Sequence, residues 1–275
     1  MASPLTLLFD NGSLEPAAII ALRRLAERLA PRFGRPVTPV SLLHSHAIDP
    51  ALLGGLPAEI LFPSLERRLA VGESDFILLP LFFGPSRALT EYLPENLARL
   101  RQKFPHLRVR VAAPLHAAGD DRLARILADH VRDELDPAIA SRVALVDHGS
   151  PVAAVTVVRN ELATQLARLL GSRVLAVTPA SMERQPGPAY DFCNPLLADL
   201  LSAAPWNAGR VIVAMQFLLP GRHAGSDGDV AQICRAAEAA HPELQTRMTG
   251  LVGVHPLLLE ILASRWHAAA PGKPE

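Results

Sequence analysis

Three stretches of this chain recur in the same order at one spacing, about half of its 275 residues. Leu8-Phe9-Asp10-Asn11-Gly12-Ser13 is matched 137 positions later by Leu145-Val146-Asp147-His148-Gly149-Ser150. Phe82-Phe83-Gly84-Pro85-Ser86-Arg87-Ala88 is matched 135 positions later by Phe217-Leu218-Leu219-Pro220-Gly221-Arg222-His223, and Ile126-Leu127-Ala128 by Ile261-Leu262-Ala263 at the same 135. Ordered matches at a constant offset mark a duplicated unit. Whatever fold the chain adopts must therefore be reached twice, with a boundary near the middle. We expect domains over residues 1–137 and 138–275, with Asp136-Pro137 opening the linker. The copies differ where it matters chemically. Asn11 stands where His148 stands, and Ala88 where His223 stands.

Each half alternates short apolar runs with helical periodicity. In the first, strands are expected over 5–9, 37–43, 76–83 and 109–113. Helices are expected over 15–32, after Pro63, over 86–103 with a kink at Pro94, and over 121–135, with a loop over 44–57. In the second, strands are expected over 142–146, 174–178, 211–219 and 246–250, with loops over 179–188 and 221–228. Helices are expected over 151–170, 195–204, 230–240 and 255–269. Ser13 and Ser150 read as helix N-caps, and Pro151 as a first helical residue. Runs such as Phe76 to Phe83 are apolar on both faces, as buried parallel strands require. Strict strand–helix alternation predicts an α/β fold: two tandem flavodoxin-like parallel-sheet domains with helices on both faces and right-handed crossovers.

Composition excludes several classes. Lys plus Arg equals Asp plus Glu at 27 each, so no broad basic field for nucleic acid exists. No apolar run reaches the roughly 18 residues of a membrane span, and Pro4 to Phe9 is too short for a signal peptide. Two cysteines, Cys193 and Cys234, lack zinc-type spacing. A reduced, cytoplasmic protein is the expectation.

In a strand order of 2-1-3-4 the first and third strands of a half are neighbours at the switch point, where open α/β sheets bind ligands. His148 follows the first strand of its half and His223 the third, so both imidazoles would project into one crevice. Either alone could merely cap a turn. Together they suit divalent cobalt, nickel, iron or zinc. Glu183 and Asp191, around the loop after the second strand, are candidate proton acceptors. Glu59 precedes Pro63 by four, as Asp191 precedes Pro195, which suggests a shared acid position. Arg222 offers a forked donor to carboxylates, and Arg87 keeps that position in the first half, so a cleft between halves would carry both. Asn11 could bond a substrate; Ser150 lies beside His148. His44, His46 and His255 are lower candidates. The Gly221–Gly228 loop could instead hold a phosphate, although neither the dinucleotide nor the Walker pattern occurs.

The strand–Asp147-His148-Gly149-Ser150 segment, the Phe217-to-Gly225 segment and Phe62-Pro63-Ser64-Leu65-Glu66 together resemble the sirohydrochlorin chelatase family, the class II cobalt or iron chelatases, over nearly the whole chain as two copies. The resemblance implies a chelatase-like α/β fold. It further implies insertion of Co²⁺ or Fe²⁺, as a substrate, into a carboxylate-rich tetrapyrrole, with His148 and His223 binding the metal and no organic cofactor. The departures at Asn11 and Ala88 imply one metal site per chain. They leave open a non-catalytic metal or tetrapyrrole carrier, and a monomer of two pseudo-symmetric halves or a homodimer.

Overall fold

Parallel strands covered on both faces must be apolar throughout, and the central strands here are: Phe76 to Leu79, Val143 to Val146 and Val211 to Met215 are all fully buried. The computed structural model describes residues 4–270. Strands β1 (Leu5–Asp10), β2 (Val37–Ser41), β3 (Asp75–Pro80) and β4 (Arg108–Val111) form one parallel sheet in the order β2-β1-β3-β4. Strands β5 (Ser141–Asp147), β6 (Val177–Ser181), β7 (Gly209–Met215) and β8 (Leu244–Met248) form a second in the order β6-β5-β7-β8. This is the expected 2-1-3-4 order. It makes β1 and β3, and β5 and β7, neighbours at the switch point.

The helices are α1 (Pro16–Phe33), α2 (Leu61–Ala70), α3 (Leu93–Lys103), α4 (Arg122–Glu134), α5 (Ala153–Leu170), α6 (Leu197–Ser202), α7 (Asp229–Ala240) and α8 (Pro256–Ala269). Alternate residues of β1 and β3, Leu7, Phe9, Phe76 and Leu78, pack with Leu61, Leu65, Leu69, Leu93, Leu97 and Leu100 of α2 and α3. Ala144, Val146, Val211, Val213 and Met215 do the same with α6 and α7. Each such side chain contributes roughly 1.5–3 kcal/mol by leaving water.

The chain forms two compact units, one of residues up to Ala117 together with those from Leu259 onward, the other of Ala118–Leu258. The expected single crossing near residue 137 is replaced by two. Helix α4 carries an apolar stripe of Leu123, Ala124, Ile126, Leu127, Ala128 and Val131 and packs on α5 and β7, in the second unit. In the first unit Trp266 of α8 stacks on Phe33 at 4.4 Å and donates from Nε1 to Thr6 Oγ1 at 2.8 Å, while Arg265 donates to the carbonyls of Pro114 and Leu115.

Four local expectations shift. Strand β6 lies three residues later than expected, because Gly171–Arg173 forms an extra 3-10 turn after α5. Helix α2 begins at Leu61, with Pro63 inside its first turn, where a missing N–H costs nothing. The kink expected at Pro94 is a π-turn over Ala88–Tyr92 that leads into α3. Ser13 and Ser150 do not cap helices: each hydroxyl accepts from the amide two residues on, Glu15 at 3.0 Å and Val152 at 3.1 Å, and those later residues are the N-caps. The short side chain satisfies its own turn first. Pro151 accordingly precedes α5, which starts at Ala153.

Candidate metal centre

Strand β5 ends on Asp147, a buried carboxylate whose Oδ1 accepts from the Gly149 amide at 3.1 Å and from Ser181 Oγ at 2.7 Å. The guanidinium of Arg159, fully buried on α5, lies 3.8 Å from the same oxygen and donates to Ser181 Oγ at 2.6 Å and the Cys193 carbonyl at 2.8 Å. Burial pushes the Asp147 carboxyl above the usual carboxylate range, against the pull of Ser181 and Arg159, and pushes Arg159 down. This network fixes the turn that carries His148.

Gly149 adopts φ +92°, and a Cβ built there would sit 1.9 Å from the Glu183 carbonyl oxygen, so only glycine fits. The close approach is held by two bonds, Met182 N to Asp147 O at 2.8 Å and Glu183 N to His148 O at 3.2 Å. It brings the Glu183 carboxylate beside the imidazole, with Oε1 at 3.4 Å from His148 Nε2. His148 Nδ1 lies 3.0 Å from the Gly149 carbonyl, an acceptor that assigns the proton to Nδ1 and leaves Nε2 its lone pair.

His223 hangs on the loop after β7. That loop closes on itself through Ala224 N to Gly221 O at 3.1 Å, Asp229 N to Arg222 O at 3.3 Å and Val230 N to His223 O at 3.3 Å. A Cβ on Gly228 would meet the Arg222 and His223 backbone at 2.8 Å, so the closure depends on glycine there. Asp229 Oδ2 sits 2.6 Å from His223 Nδ1. The two imidazoles meet edge to face, centroids 4.7 Å apart and planes at 73°. Nitrogens bound to one ion at about 2.0–2.2 Å each lie up to roughly 4 Å apart, so both rings can share an ion. Among the described residues, no group of three or more His, Cys, Asp and Glu side chains is set to hold a metal.

The other candidates fall elsewhere. Asp191 is exposed on a 3-10 turn and paired with Arg184 at 3.2 Å. Arg222 is exposed, its Nε 3.7 Å from Asp229 Oδ2. Ser150 is occupied by its own turn. Glu59 does not share a position with Asp191: its carbonyl accepts from Ser41 as that of Pro195 accepts from Ser181, and its carboxylate is held by Ser64 at 2.6 Å and Arg67 at 2.8 Å. His255 bonds the Leu257 amide at the start of α8 and faces His130 and Asp129.

In the first unit, Asn11 is exposed on the equivalent turn and Arg87 pairs with Glu91 at 2.9 Å. Gly12 repeats Gly149, with φ +96° and a would-be Cβ 1.8 Å from the Leu43 carbonyl, and Leu43 N bonds Asn11 O at 3.2 Å. Leu43 thus occupies the place of Glu183. His44 and His46 are exposed, and His44, at φ +65°, is the strained centre of a γ-turn closed by Ser45 N to Leu43 O at 2.8 Å.

No spacing or motif marks Arg159 or Asp229 in the sequence. A signal exists for the region around them: Val37-Thr-Pro-Val-Ser41 recurs as Val177-Thr-Pro-Ala-Ser181, at 140 positions because of the added turn.

The CbiX family model matches residues 142–269. The match lies in the second half of the chain. The matched segment holds His148, His223, Glu183, Asp229 and Arg159. Both units together share the fold of solved chelatases. SirB from Bacillus subtilis with Fe3+ aligns at TM-score 0.72 and 16% identity over 98% of this chain and 96% of that one. Sirohydrochlorin chelatase SirB from Bacillus subtilis subspecies spizizenii in complex with cobalt aligns at 0.70 and 17%, over 98% and 96%. CbiX, the terminal enzyme for biosynthesis of siroheme in denitrifying bacteria, aligns at 0.61 and 20%, over 97% and 100%. No curated protein sequence matches. No described helix is long and apolar enough to cross a membrane.

Proposed function

We propose that this protein inserts a divalent metal, cobalt or iron, into sirohydrochlorin or a closely related tetrapyrrole. The observation that carries the reading is the meeting of His148 and His223 at neighbouring strand ends, rings 4.7 Å apart, inside the segment that matches CbiX. The two Nε2 atoms take the ion, and neutral imidazoles suit either metal. Two ligands leave coordination positions open for the pyrrole nitrogens. Two pyrrole protons must leave as the ion enters; Glu183, beside His148 and exposed to solvent, takes them one at a time and passes each to water before the next. Arg222 stands exposed on the same loop as His223 and receives a substrate carboxylate. The buried, free thiols of Cys193 and Cys234 agree with a reducing, cytoplasmic setting.

A second reading, a metal or tetrapyrrole carrier, is favoured by Asn11 and Ala88, where the first half has neither imidazole. Turnover separates the two. Co²⁺ and sirohydrochlorin are mixed with the protein and the macrocycle absorbance is followed. The chelatase releases metallated product over many cycles, whereas a carrier stops at one equivalent. His148→Ala/His223→Ala is expected to lower the insertion rate at least about 100-fold, the scale typical of a lost metal ligand or its support. An unchanged rate ends the proposal.

A further inference from the structure

Each imidazole of the pair has a carboxylate of its own, and the first half shows what those carboxylates are for. The ends of β1 and β5 build the same turn, down to a glycine whose Cβ would strike the facing carbonyl, whereas a π-turn over Ala88–Tyr92 stands where the second half has its glycine loop. Where the first half lacks the imidazole it also lacks the acid: Leu43 replaces Glu183 by backbone pairing, and Pro94 stands 135 positions before Asp229 as Ala88 stands before His223. The turn after β1 forms with Leu43 in the place of Glu183, so that acid serves the imidazole and not the turn. Asp229 likewise meets its imidazole directly and is absent where the imidazole is absent.

We infer that Asp229 is a positioning residue for His223. Its Oδ2 accepts the proton of Nδ1 at 2.6 Å, which fixes the ring in the tautomer whose Nε2 is bare, while the ring itself stands 4.7 Å from that of His148. Asp229 is itself held as the first residue of α7, and its amide is bound back to the Arg222 carbonyl at 3.3 Å. A carboxylate so placed also raises the donor strength of the ring. Arg222, 3.7 Å from the same oxygen, orients it further. The inference rests on the metal reading of the histidine pair.

The test uses the full-length chain and Co²⁺ alone as the probe. Asp229→Ala is expected to weaken Co²⁺ binding about 10-fold to 100-fold and to move the ¹⁵N signals of His223 toward the tautomer protonated at Nε2, with an unchanged circular dichroism spectrum. Asp229→Asn keeps an oxygen that accepts from Nδ1 and restores most of both properties. Asp229→Glu, which moves the acceptor by one methylene, falls between, and it supplies the answer if the alanine variant does not fold. Co²⁺ binding that His148→Ala/His223→Ala abolishes but all three Asp229 variants leave at the wild-type level overturns this inference alone. Weaker binding in Asp229→Ala with the tautomer unmoved also overturns it. Binding untouched by the double histidine variant overturns the metal reading itself.

Discussion

The ends of β1 and β5 are the same turn around buried carboxyls with different partners. Both finish on a buried aspartate, both turn at a left-handed glycine pressed against a carbonyl, and both tie the turn to the next strand by the same pair of backbone bonds. Behind Asp147 stands the buried guanidinium of Arg159. At the equivalent position of α1, 137 residues earlier, stands Leu22. Asp10 has Ser41 and the Gly12 amide but no cation among the described residues, its Oδ1 is buried without a partner there, and burial lifts its pKa from 3.8 to about 6. The scaffold tolerates a bare buried carboxyl where nothing depends on its charge. Where the turn carries an imidazole, Arg159 and Ser181 compensate Oδ1 of the carboxylate, while its Oδ2 is buried without a hydrogen-bond partner among the described residues.

The comparison breaks most visibly at Arg159. Arg159→Leu, which gives the second half the first half's residue, strands a buried charge and is expected to destabilise the second unit by about 3–5 kcal/mol. Asp147→Asn added to it should recover most of that loss. Trp206 lies in the second unit and Trp266 in the first, so denaturant unfolding read from Trp206 in a Trp266→Phe background measures it. A cost below about 1 kcal/mol would leave the ion pair without a structural role.

Asp10 should respond with the opposite sign. A carboxyl whose pKa is raised by folding stabilises the folded state below pH 3.8, loses that contribution as pH climbs to about 6, and is flat above. Asp10→Asn removes the loss. Above pH 6 it should stabilise the first unit by up to roughly 3 kcal/mol, because each tenfold change in proton affinity is worth about 1.4 kcal/mol, and by little at pH 4. Unfolding followed at Trp266 in a Trp206→Phe background tests both limits. The glycines come next. Gly12→Ala and Gly149→Ala should each cost about 1–3 kcal/mol of stability through backbone strain, but only Gly149→Ala, by displacing Glu183 and His148, should slow metal insertion, about 100-fold. The smallest effect belongs to Arg87→Ala: an exposed i,i+4 pair with Glu91, it should change stability by less than about 0.5 kcal/mol.

Much of this is legible in the chain. Parallel sheets follow from strict alternation, and the meeting of His148 with His223 follows once the flavodoxin-like 2-1-3-4 order is taken. Glu183 is visible as an acid beyond the second strand. The rest is decided by contacts that no local pattern encodes. Which sheet α4 and α8 cover depends on apolar stripes that fit either. The three-residue shift of β6 comes from one added turn after α5. Arg159 sits in a helix between Val158 and the polar pair Asn160-Glu161, and nothing in its spacing marks the aspartate it meets on β5. Asp229 reads as an ordinary acid in a first helical turn until the loop folds it back onto His223. Ser13 and Ser150 carry a cap signal, and the turn satisfies their hydroxyls two residues short of the helix.

The central claim is that the second half alone holds the metal, through His148 and His223. Calorimetric titration of the full chain with Co²⁺ tests it most directly. The account predicts one ion per chain, lost in His148→Ala/His223→Ala and retained in Asn11→Ala/His44→Ala. Two ions per chain, or one that survives removal of both imidazoles, would contradict it.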